Sequence, residues 1–151
     1  MSSRIDRMAK LIELAEIELD KAGKTLAAVQ EQYVHEKMQL DSLMAYEKEY
    51  AAEPVKKDVT MTLAQLQTRH SFGEKLRQAV VTQSFQVDEL ENSIERVKDH
   101  WLEKRAEVKS LQLLLEKLQR DQQVKLNRQE QRLLDELAAQ KMIADKKNNR
   151  V

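Results

Sequence analysis

The sequence predicts an all-α fold: a long antiparallel two-helix coiled coil with a short helical connector and a projecting C-terminal helix. Three observations carry this. The 151 residues include only two glycines and one proline, with 34% charged and 4% aromatic residues. Apolar residues recur at alternating steps of three and four along two long stretches. A proline and a run of cap-forming residues separate the stretches. Glu, Lys, Gln, Leu and Ala dominate, and these side chains lose little freedom in a helix. So little aromatic volume suits a narrow seam better than a thick core.

The first helix is expected over about 4–52. Its seam reads Ile5, Met8, Ile12, Ala15, Leu19, Ala22, Leu26, Val29, Tyr33, Glu36, Leu40, Leu43, Glu47 and Tyr50, with only Glu36 and Glu47 charged. That is a heptad pattern. Ser3 with Asp6 three residues on has the spacing of a capping box. Pro54 ends the stretch, since it lacks an N–H and disfavours helix at Glu53. A connector over about 53–70 follows, in which Thr62 and Gln65 can cap a turn or two carrying Leu63 and Leu66.

Ser71-Phe72-Gly73-Glu74 offers another cap, so the long helix is expected over about 71–145. Its seam is Leu76, Val80, Gln83, Val87, Leu90, Ile94, Val97, Trp101, Lys104, Val108, Leu111, Leu115 and Leu118. Past Leu118 the same register falls on Gln122, Lys125 and Gln129, and apolar residues resume out of phase at Leu126, Leu133 and Leu137, a stutter. A polar tail over 146–151 is expected to fray. The whole reads as a single coiled-coil domain. Pairing positions that add up to 123 brings Tyr50 to Gly73, Leu43 to Val80, Tyr33 to Leu90, Val29 to Ile94, Ala22 to Trp101 and Ile5 to Leu118. Large seam residues then face small ones, as a narrow core requires. At 1.5 Å per residue the paired part is expected to be ~70 Å long, with ~40 Å of helix projecting. An uncovered helix bearing Leu126, Leu133 and Leu137 invites a partner.

Several function classes are excluded or weakened. Twenty-six basic residues balance 26 acidic ones, so the surplus positive charge that nucleic acid demands is missing. No apolar run approaches the length of a membrane span, and the first residues lack the apolar stretch of a signal peptide. Without cysteine there is neither disulfide nor thiolate ligand. His35, His70 and His100 stand far apart, and no Gly-rich loop or Ser/His/Asp set is present. No catalytic group, metal or cofactor is expected, and a cytoplasmic location fits best.

Two groups of residues stand out as candidate surfaces. Gln39, Leu43, Tyr46 and Tyr50 follow i, i+4, i+7, i+11 spacing, and Phe72, Leu76, Ala79 and Gln83 repeat it on the second helix. A widened hydrophobic seam is the simpler reading; a partner-binding strip anchored by aromatics is the other. Arg4, Arg7 and Lys10 near one end, and Lys141, Lys146, Lys147 and Arg150 near the other, are either solvated charges or a basic tip able to enter an acidic ring.

The sequence resembles the FliJ family of the bacterial flagellar type III export apparatus. The resemblance rests on Leu11-Ile12-Glu13-Leu14-Ala15-Glu16, Leu43-Met44-Ala45-Tyr46-Glu47-Lys48-Glu49-Tyr50, Phe72 with Leu76 and Ala79, Trp101-Leu102-Glu103-Lys104, and Asn127-Arg128-Gln129-Glu130 followed by Leu134-Asp135-Glu136. It implies a non-enzymatic stalk, similar to the central coiled coil of rotary ATPases, at the inner-membrane export apparatus. Implied partners are the hexameric export ATPase FliI, the cytoplasmic domain of the export gate protein FlhA, and export chaperones. The resemblance also implies that Gln39, Leu43, Tyr46, Tyr50, Phe72, Leu76, Ala79 and Gln83 bind the gate, with Gln83 standing where the family can have His. The tip entering the ATPase ring would carry Arg4, Arg7, Lys10, Lys141, Lys146 and Lys147. A stalk of a virulence injectisome and a freestanding chaperone or scaffold for secreted substrates are the alternative readings.

Overall fold

A computed structural model describes residues 2–52 and 61–149. They form two helices, α1 (Ser2–Ala52) and α2 (Leu63–Asn148), so the expected all-α, two-helix class is what the chain adopts. Pro54, Glu53, Arg150 and Val151 lie outside the described residues.

Two compact units divide the chain: Leu19–Glu103, and Met1–Glu18 with Lys104–Val151. In the first, α1 and α2 run antiparallel. The position a Cβ would take on Gly23 lies 3.4 Å from Trp101 Nε1, the Tyr33 hydroxyl meets Glu91, and the corresponding Cβ position on Gly73 lies 3.5 Å from the Tyr50 ring. The Tyr50–Gly73 layer is the one expected from the seam arithmetic. In the other unit, Ile5 shares a recess with Leu118, again the expected partners, and Gln112 donates to Glu16 at 3.4 Å.

Burial follows the heptads. All fourteen seam residues of α1 are buried or half-buried, and so are all thirteen of α2. Ile12, Ala22, Leu40, Leu76, Val87 and Val108 are the most enclosed. No described side chain is fully sealed from water, because two helices can enclose only the single line where they touch. Each apolar seam residue therefore gains part of the roughly 1.5–3 kcal/mol that complete burial of a Leu, Ile or Val provides. Past Gln122 every described residue of α2 is exposed, among them Leu126, Leu133, Leu134, Leu137, Met142 and Ile143. This segment has no helix beside it within its unit, where Arg4 and Ile5 stand level with the stretch from Leu118 to Lys125.

The helix ends differ from the expected ones. α2 begins at Leu63, not at 71. Its start carries a reciprocal capping box: Thr62 N donates to Gln65 Oε1 at 3.0 Å, and Gln65 N donates to Thr62 Oγ1 at 3.3 Å. The Ser71–Glu74 cap is consequently unused and lies inside the helix. The earlier start prevails because the added turns hold Arg69, whose carbonyl accepts the Tyr50 hydroxyl at 2.8 Å. Ser3, expected as a cap, is likewise helical, and its carbonyl accepts from Arg7 Nε. At the other end Lys146 and Lys147 remain in the helix instead of fraying.

Candidate partner-binding surfaces

The aromatic strip forms where α1 approaches its last turns and α2 its first. Heptad phase places Tyr50 on the seam and Tyr46 on its flank; Phe72 arrives from the facing helix. The Tyr50 and Phe72 rings meet at 5.1 Å and 61°, and the Tyr46 and Phe72 rings at 6.3 Å and 86°, edge to face in both cases. Such pairs contribute about 0.5–1.5 kcal/mol beyond the area they bury. The Arg69 guanidinium lies 5.5 Å from the centre of the Tyr50 ring, within cation–π range. Tyr50 is thus held from several sides, while Tyr46 and Phe72 stay 50% and 42% exposed. A rigid aromatic pair presented to water on a fixed base is the form of an interface anchor.

The remaining strip residues divide. Gln39, Leu43 and Tyr46 line one shallow groove with His35, Met38 and Ser42, and the Gln39 amide lies 3.3 Å from His35 Nε2. Leu76 is buried and lines a cleft with Tyr50, and Ala79 is half-buried. Gln83 turns inward, its amide donating to the carbonyl of Glu36 at 3.0 Å and also to Glu36 Oε2. The structure brings Leu43, Tyr46, Tyr50 and Phe72 to one region, with Leu76 as support and Gln83 occupied within the seam.

Sequence reasoning missed His35, Met38, Ser42 and Arg69. The first three fall off the seam of α1, and periodicity alone does not mark a groove wall. Arg69 lay inside the supposed connector. A second cleft, lined by Glu47, Tyr50, Leu66, Arg69, His70 and Gly73 among others, exists only because α2 starts early.

The basic residues do not form one cluster. Arg4 lines a recess with Ile5, Leu118, Asp121, Gln122 and Lys125, and Arg7 and Lys10 follow on the exposed side of α1. Lys141 lies about 24 Å beyond Lys125 at the rise of an α-helix, on the uncovered part of α2, and Lys146 and Lys147 lie further still. Among the described residues no group of three or more His, Asp or Glu is placed to hold a metal, and no helix is long and apolar enough to cross a membrane.

A family described as flagellar FliJ protein matches residues 3–147, nearly the whole chain. No curated protein and no solved structure matches it.

Proposed function

The chain belongs to the flagellar FliJ protein family and so to the flagellar export apparatus, and from that premise we propose that it is a non-enzymatic stalk coupling the export ATPase to the export gate. The observation that carries this reading is the exposed Tyr46–Phe72 pair on its Tyr50 base, which supports gate binding by an aromatic anchor. Gln39 and Leu43 extend the contact along the groove, and Leu76 and Ala79 complete it on α2. Arg4, Arg7 and Lys10 on α1, and Lys141, Lys146 and Lys147 further out on the uncovered part of α2, meet the ATPase ring.

The mechanism is mechanical. A single asymmetric coiled coil inside a ring of like subunits touches each one differently. Those contacts bias nucleotide states only where they differ between states. ATP hydrolysis by the cognate ATPase, measured with and without the chain alongside electron microscopy of rings, tests this: faster hydrolysis and more hexamers are expected. An unchanged rate with folded protein sinks the stalk reading.

A second reading is favoured by a separate observation. The uncovered segment 123–149, with its exposed leucines, supports a role in holding export chaperones or substrates, as the freestanding scaffold reading has it. Binding there with no effect on hydrolysis is its signature.

A further inference from the structure

The seam of the unit spanning Leu19–Glu103 contains one polar pair that neither surface needs for contact. Gln83 Nε2 donates both to the Glu36 carbonyl, at 3.0 Å, and to Glu36 Oε2. The pair is flanked by Leu40 and Val87, at 5% and 4% exposure the most enclosed of the described residues. We propose that Glu36 is a positioning residue that, through Gln83, locks the register between the two helices and so sets Phe72 in front of Tyr46 and Tyr50.

Heptad seams are self-similar, so apolar layers alone do not choose among registers seven residues apart. Slid by seven either way, Leu40 meets Leu76 or Leu90, each an apolar seam residue like itself. Glu36 breaks that degeneracy. In the slid registers it stands beside Val80 or Ile94, a half-buried carboxylate set against hydrocarbon without the amide that now donates to it. Buried polar residues that fix coiled-coil register are the best-attested use of such groups. The aromatic surface depends on the choice, because a slide of seven replaces Phe72 by Gln65 or Ala79. That functional half rests on the gate reading above; the register half does not.

The two slides are not equivalent. In the one that sets Ile94 beside position 36, Gln83 comes level with Glu47, a second seam carboxylate. Replacing Glu36 by Leu removes the carboxylate penalty from both slides, but only the slide toward Ile94 leaves Gln83 a carboxylate partner. The single variant Glu36→Leu is therefore expected to shift the register one way.

Disulfide trapping tests it directly, since the chain has no cysteine of its own. Tyr33→Cys with Leu90→Cys reports the observed register, and Tyr33→Cys with Val97→Cys the slid one. With Glu36 present, only the first pair should close. With Glu36→Leu, closure of the second should rise about tenfold, the ratio one unmade half-buried hydrogen bond represents. Glu36→Gln, which keeps an acceptor for Gln83, should restore the first. The lock is overturned if Glu36→Leu, still fully helical, closes only the first pair. Gate binding separates the two halves: Glu36→Leu alters no residue of the aromatic strip yet should bind the FlhA cytoplasmic domain about tenfold more weakly. A moved register with unchanged gate binding overturns the functional half. Failure of the parent chain to bind the gate overturns the function proposed above and leaves the register result standing.

Discussion

Tyr50 and Tyr46 sit a turn apart and serve different ends. Tyr50 donates its hydroxyl to Arg69 O and takes the Phe72 edge, so Tyr50→Phe should lower stability by about 0.5–1.5 kcal/mol while leaving partner affinity nearly unchanged. Thermal melts and a binding titration check both. Tyr46, half in water, should behave in reverse: Tyr46→Ala, or Phe72→Ala, is expected to weaken gate binding about tenfold or more with the helices intact by circular dichroism. Tyr33 gives a pH test. Its hydroxyl donates to Glu91 at 3.0 Å, and that bond first, with the carboxylate charge adding to it, raises its pKa above the ordinary 10.0. The bond favours the protonated, folded form, so its stabilisation is complete below pH ~10 and lost as pH rises through the higher folded value. Ultraviolet titration should show Tyr33 ionising late, and Glu91→Gln should bring it back. At this scale the sequence exposed the strip through spacing. It did not reveal that Gln83 bonds inward, because a half-buried amide has the same periodicity whichever way it turns.

Between residues and chain stand the helix ends. Two capping boxes competed for the start of α2, and propensity does not rank them. The Tyr50–Arg69 contacts do, and those are tertiary. Thr62→Ala should cost about 1 kcal/mol locally, seen as faster amide exchange over the turn from Leu63 to Leu66 with little change in the global melt. Gly73, placed by sequence in a cap, is an interior helical glycine without positive φ. A Cβ there meets the Tyr50 ring at 3.5 Å, an ordinary contact. Gly73→Ala is thus expected to stabilise the chain by about 0.5–1 kcal/mol, measurable as a higher melting temperature.

Across the whole molecule, the seams of both helices were legible residue by residue, since amphipathic periodicity and burial are two views of one fact. The loss of cover beyond Gln122 was foreshadowed by the stutter. What binds there was not, because exposed leucines specify an apolar partner without naming it. Deleting residues 126–151 should leave the melting of the paired helices nearly unaltered, as no described residue in that span is covered, while abolishing any chaperone capture that depends on it. The uninterrupted alternation of enclosed positions along α1 from Ile5 to Tyr50 also restricts how genes for such a chain can change length. One codon gained or lost in mid-helix turns every later side chain about 100° away from its partner. Seven codons gained in both helices at matching layers restore the phase, so length is expected to vary among related genes by whole heptads, in paired steps.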